Sequence, residues 1–302
     1  MISCAKPIAT NNNRAFTLVE LAIVLVIIGL LVGGVLIGRD LISASEQRAL
    51  MAQIDKYNVA VNAFRDKYFS IPGDMSAAKA AQLNFTTRGG VQGQGDGNSV
   101  IEGYSNVAAG SVPTMQGAGE TPLFWSDLSR AQLIDGSFTT ASASISPATD
   151  VTGSGLNAYF PQAKIGSGHY VYVWSGGKGV GNTGANNNIN YFGVSVVNGI
   201  YTCCFSYAST SLGMPVIQAR NIDEKMDDAM PLIGKVTAQY ATYSVAPLWT
   251  NIDRMDDPLT LPVAGGTSTC IDNNNVGGGA MIYSVRFNSG SGKNCALSFQ
   301  FK

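Results

Sequence analysis

Residues 11–40 read NNNRAFTLVELAIVLVIIGLLVGGVLIGRD. One acid, Glu20, stands near the start of an apolar run that carries no further charge until Arg39. From Leu21 to Gly38 there are 18 uncharged, mostly apolar residues. With Phe16–Val19 before them, the stretch is long enough to span a bilayer as a helix at about 1.5 Å per residue. Residues 1–15 contain Lys6 and Arg14 and no acid. A basic leader stays on the cytoplasmic side, so the chain beyond Arg39 is expected outside the membrane. A secretory signal peptide would have a shorter apolar region followed by a small-residue cleavage site. Here the run is too long, and the plausible processing site precedes it.

The periodicity continues past the apolar run. Leu50, Ile54, Tyr57, Val61, Phe64 and Tyr68 follow at spacings of 4, 3, 4, 3 and 4, one stripe of an amphipathic helix. Arg48, Asp55, Lys56, Arg65, Asp66 and Lys67 fall off the stripe. Ser70-Ile71-Pro72-Gly73 ends the helix, because Pro72 disfavours helix in the residue before it. One helix from Thr17 to Phe69 would be about 80 Å long.

Composition narrows the function classes. Charged residues make up 13% of the 302 residues, about half the usual share. A net charge of −1 gives no electrostatic case for nucleic acid. His169 is the one histidine, which removes most metalloenzyme and His-relay readings, and it lies in a strand-like aromatic run where packing explains it. No catalytic constellation emerges, so the chain is read as a non-enzyme.

Ala15-Phe16-Thr17-Leu18-Val19-Glu20 resembles the processing site of type IV prepilins and type II secretion pseudopilins. The resemblance implies cleavage between Ala15 and Phe16 by a prepilin peptidase, which then methylates the new N-terminus. Glu20 becomes the fifth residue of the mature chain, and the family role implied for it is pairing with the amine of a neighbouring subunit during assembly. Gly29 also falls where family members often have glycine. Two departures stand out. The residue before the cut is usually Gly and here is Ala15, which predicts slower cleavage; a proline common later in the family's helix is replaced by Ile37. A carboxylate in a membrane helix costs roughly 2.5–3.5 kcal/mol, so it needs a partner. The other reading of Glu20 is a tolerated acid near the interface, paired with its own N-terminus.

The resemblance further implies partners: prepilin peptidase, other pilin or pseudopilin subunits, an inner-membrane assembly platform and the lipid bilayer. It implies a single-pass inner-membrane protein with a periplasmic C-terminal domain, later part of a pilus or pseudopilus. A signal-anchored envelope binding protein or enzyme is the alternative. The chain is long for a major subunit, which points to a minor or tip-proximal one.

The remainder reads as α+β: a long N-terminal membrane-spanning helix packed on an antiparallel β-sheet head. The expected organisation is leader 1–15, membrane or filament-core helix 16–38, amphipathic continuation 39–70, a helix-loop connecting region 71–165 and the sheet head 166–302. Asp74 is expected to cap a short helix from Met75 to Leu83. Residues 86–120 and 137–157, rich in small and polar residues, read as loops. Thr121-Pro122 starts a helix that runs to Ile134. His169–Trp174 is a strand. Tyr191–Val197 and Ile200–Tyr207 flank Asn198-Gly199 as a hairpin. Ala280–Asn288 and Asn294–Phe301 form a last hairpin.

Four cysteines follow the leader: Cys203, Cys204, Cys270 and Cys295. They allow three connectivities, and the sequence alone does not choose. The family resemblance implies a C-terminal bridge, Cys270–Cys295, worth roughly 3 kcal/mol through loop entropy. Cys203 and Cys204 are then buried thiols or an intersubunit pair; the alternative is that one or both bridge to Cys270 and Cys295.

Two acidic stretches remain. Asn221–Pro231, NIDEKMDDAMP, resembles a segment of some large pilin-like proteins usually written with Asp-Asp-Gly; here Ala229 replaces the Gly. Asn251–Pro258, NIDRMDDP, is similar in composition. One reading of the first is Ca²⁺ held by Asp223, Asp227 and Asp228. The other is a solvated short helix with capping acids, and the expectation is no resident cofactor or metal. Gly93–Glu102, GQGDGNSVIE, resembles a calcium loop faintly but lacks its alternating acids.

Overall fold

The computed structural model describes residues 17–105, 110–112, 117–145, 147–176, 189–201, 213–240, 270–272, 281–286 and 288–301. The chain divides into two compact units, Met1–Ser45 and Glu46–Lys302.

Helix α1 runs Leu18–Tyr68 without a break. In the first unit its apolar side chains, Leu18 to Ile42, are exposed. In the second unit the 4-3 stripe is buried: Leu50, Ile54, Tyr57, Val61 and Phe64 join one hydrophobic core, with Tyr68 packed at its margin. Gln47, Gln53 and Ala60 are buried as well. The polar Gln53 is satisfied by donating to Gln162 O (2.8 Å) and accepting from Lys164 N (2.8 Å).

Short elements follow: α2 (Ala77–Gln82), β1 (Gly103–Ser105), β2 (Gly110–Val112), α3 (Glu120–Arg130) and β3 (Val151–Thr152), the last running into a 3₁₀ turn over Gly153–Ala158. Then come β4 (His169–Gly176), β5 (Ile189–Val196), β6 (Gly199–Ile200), α4 (Val216–Met226), β7 (Val236–Tyr240), β8 (Ile271–Asp272), β9 (Ile282–Tyr283) and β10 (Cys295–Phe301). The main sheet has the order β4-β5-β10-β7 and is antiparallel throughout. The fold is α+β, with the 46–68 part of α1 sharing a core with this sheet. Tyr57 meets Trp125 of α3 edge-on at 4.9 Å, and Phe192 of β5 stacks on Phe301 of β10 at 4.3 Å. Gly193 on β5 lies opposite Tyr172 on β4, and a Cβ there would collide with the Tyr172 ring.

Strand pairing differs from expectation. Asn198-Gly199 is not a hairpin turn. A two-residue primed turn needs positive φ, and neither residue has it. The chain instead carries Gly199–Ile200 across to β3, pairing with Thr152 and Val151, and residues 202–207 of the expected second strand lie outside the described residues. β5 pairs with its preceding neighbour β4 but on its other side takes β10 rather than β6, and β10 takes β5 and β7 rather than β9; β5 and β10 are both buried along nearly their whole length. Such strands belong in the sheet interior with a partner on each side. The expected last hairpin is likewise absent: β9 pairs with β8, while β10 sits between β5 and β7.

Within the described part of 86–120, the chain from 86 to 99 is irregular and mostly exposed, as expected, but it is pinned by buried residues. Arg88, Val100, Ile101, Glu102, Ala118 and Glu120 are buried. Phe138, Ala141, Ala143 and Leu156 of the 137–157 stretch are buried too. Asp74 does not cap α2, whose N-cap is Ser76 without a side-chain bond. Its carboxylate accepts the amides of Gly97 (2.7 Å) and Ser99 (2.6 Å) instead. α3 starts at Glu120, one residue ahead of Thr121, and stops at Arg130 rather than Ile134. Gln132 takes a positive φ there and cannot continue the helix.

Candidate functional site

The N-terminus of α1 is built by its own first residues. The Thr17 amide and hydroxyl both donate to Glu20 Oε2 (2.8 and 2.9 Å), and the Glu20 amide donates back to Thr17 Oγ1 (3.2 Å). This is a reciprocal capping box, which satisfies orphan donors of the first helical turn. The Thr-x-x-Glu spacing was visible in the sequence, and reading Glu20 only for its charge misses it. Beyond it, α1 is long and apolar enough to cross a membrane. Gly29, Gly33, Gly34 and Gly38 have open space where a Cβ would stand, so another helix could approach closely there. Ala15 and Phe16 lie outside the described residues.

Residues 10–36 match the family described as Prokaryotic N-terminal methylation motif. The chain carries the prepilin-type cleavage and methylation signature. Such a signature indicates a type IV pilin- or pseudopilin-like processed protein and implies processing by prepilin peptidase and assembly with other pilin subunits. No curated protein and no solved structure matches the chain. With the apolar α1, the prepilin motif fits a membrane-anchored, pilus-assembled protein.

In the head, Cys270 and Cys295 form a disulfide, with Cα atoms 5.0 Å apart. It ties the entry of β8 to the start of β10, two segments whose own strands do not pair. Cys203, Cys204 and Asn251–Pro258 lie outside the described residues.

Four groups of titratable residues, each with at least one buried member, stand out among the described residues of the head. Arg88 and Asp127 are an ion pair with both side chains fully buried. Asp127 also accepts the Gly73 amide (2.7 Å), and Arg88 Nη1 donates to Gly73 O (2.9 Å). Burial raises the Asp127 pKa, and the Arg88 charge opposes that. A second group is Asp74, Asp96 and Glu120, whose carboxylates approach within 4.8 Å. Glu120 accepts the amides of Gly95 (2.8 Å) and Glu102 (2.9 Å). Burial pushes Asp74 up to about 7 and raises Glu120 well above the carboxylate range. A third group, Asp223, Asp227 and Asp228, brings its carboxylates equally close. Asp223 is buried, not on the solvated helix face the sequence suggested.

His169 is the fourth. It is buried on β4, its Nδ1 facing Gly166 O at 2.8 Å, and burial lowers its pKa. It is neutral at physiological pH and packed into the sheet edge.

Proposed function

We propose that the chain is a structural subunit of a type IV pilus or a type II secretion pseudopilus, minor or tip-proximal, with its C-terminal domain in the periplasm before assembly. The observation that carries the reading is the prepilin signature at the mouth of an uninterrupted apolar helix. Cleavage before Phe16 would leave an amine one turn from Glu20, and the apolar face of α1 would move from lipid into a filament core. An inner-membrane assembly platform would drive that transfer. The role is structural rather than catalytic.

The minor or tip-proximal place is supported by the bulk of the head. Residues 86–105 and 137–158 add largely exposed chain to the sheet unit, anchored to it by buried residues such as Arg88, Ile101, Phe138 and Leu156. Heads this large would crowd a filament built of this subunit alone. Immunogold labelling of purified filaments tests the placement. Sparse or end-localised particles are expected, and uniform dense labelling along the shaft would overturn it.

A further inference from the structure

Asp223 sits in the last turn of α4, fully buried. Its Oδ2 accepts a hydrogen bond from the Tyr283 hydroxyl of β9 (2.8 Å). Its Oδ1 is buried and has no hydrogen-bond partner. Just beyond the helix, Asp227 and Asp228 turn toward it, and one carboxylate oxygen from each of the three lies within 4.8 Å of the others. The two outer acids are held in place. Asp227 Oδ2 accepts the amides of Lys235 and Val236, the latter at 3.2 Å. Asp228 Oδ1 accepts the Met230 amide (2.8 Å). Gly234 makes this approach possible, since a Cβ there would strike the Asp227 carboxylate.

Three acids at a helix C-terminus repel one another and the negative end of the helix dipole. Burial first, and then the Asp228 and Asp227 charges, push the Asp223 pKa up to about 6, against the opposing pull of the Tyr283 hydroxyl and the nearby Ala229 amide. A buried carboxylate oxygen without a donor costs stability unless something electropositive meets it.

We infer that Asp223, Asp227 and Asp228 form a Ca²⁺ site in which the unpartnered Asp223 Oδ1 is the buried ligand. The donor set is all oxygen, with no His or Cys in the group, which selects a hard cation. Its carboxylates are fixed by backbone amides in an irregular arrangement. Ca²⁺ accepts that, with six to eight ligands at about 2.3–2.6 Å, whereas Mg²⁺ demands a near-regular octahedron. Asp228 is exposed, so water completes the shell. The ion would fasten three separate segments: the end of α4, the start of β7 through the Asp227–Val236 bond, and β9 through Tyr283.

The test uses the full chain in detergent at pH 8, stripped with chelator and titrated with CaCl₂, with unfolding temperature and Tyr-sensitised Tb³⁺ luminescence as readouts. A saturating rise in both is expected, with a dissociation constant on the order of 10⁻⁴ M, as for extracellular modules. MgCl₂ should produce little. Asp228→Asn keeps an oxygen for the Met230 amide, so it should fold as wild type in chelator and weaken Ca²⁺ at least about tenfold. Asp96→Asn, in the other acidic cluster, should leave the response unchanged. No response in the wild-type chain overturns the site. So does a response that survives Asp228→Asn, or one that Asp96→Asn abolishes.

Discussion

Asp127→Asn tests whether the turn after α1 is held by a buried charge pair. The wild-type carboxylate neutralises Arg88 with no solvent at either side chain, and it also accepts the Gly73 amide. Asn keeps an oxygen for Gly73 and removes the charge. Arg88 then remains buried with only the Gly73 and Met75 carbonyls around its Nη1. Breaking one side of a buried pair costs about 3–5 kcal/mol. For a head of this size that lowers the unfolding temperature by about 10 °C, at roughly 2–4 °C per kcal/mol. The sign of the Asp127 shift agrees: burial outweighs the attraction of Arg88, so the pair is a costly arrangement that only works intact. Arg88→Met combined with Asp127→Asn removes both charges, and the double variant should be more stable than Asp127→Asn alone. Denaturant unfolding of the full chain, followed by fluorescence of the buried Trp125 and Trp174, supplies all the values. A loss below about 1 kcal/mol for Asp127→Asn, or a double variant equal to the sum of the singles, would refute the reasoning.

Other consequences are as direct. Ala229 has φ 60°, in the left-handed region that costs a side-chain-bearing residue about 1 kcal/mol, so Ala229→Gly should stabilise the head by up to about that amount in the same unfolding assay. Removing the bridge with Cys270→Ser plus Cys295→Ser should cost roughly 3 kcal/mol, and an unchanged unfolding midpoint would contradict its structural role. Asp74 has a folded pKa of about 7, and Glu120 is raised too, so the folded state binds more protons than the unfolded one between about pH 4 and pH 7. Their contribution therefore falls as pH rises through that window, and the unfolding temperature in chelator should be higher at pH 5.5 than at pH 8. Glu20→Gln should leave the helix cap and membrane insertion intact, because Gln serves equally at the third position of a capping box. Incorporation into sheared filaments should nevertheless drop relative to the membrane pool, and wild-type assembly would reduce Glu20 to a capping residue.

Local periodicity was legible in the sequence, and long-range pairing was not. The Leu50–Tyr68 stripe is buried as its spacing required, because a helix reads out its own neighbours every 3.6 residues. β10 shows the opposite case. Its apolar residues marked it as a strand, but nothing within it names as partners β5, whose Val194 lies opposite Leu297, and β7, whose Ala238 lies opposite the same residue, both far back along the chain. The Gly-rich 86–102 segment is irregular and mostly exposed, as its composition suggested, but its anchoring was not legible. Its polar composition suits solvent, yet its amides serve as donors to the buried carboxylates of Asp74 and Glu120, and composition does not record which acceptor an amide will find. The Asp223 cluster was visible as a spacing of acids. That one of them faces inward with an unsatisfied oxygen became apparent only with the fold.

The account rests on processing at Ala15-Phe16 and entry of the mature helix into a filament. Mass spectrometry of the N-terminal peptide, from chain recovered in sheared filaments, tests both at once. The expected peptide begins at N-methylated Phe16 and retains Glu20. A filament-free preparation in which the chain begins at Met1, or beyond residue 38, would contradict it.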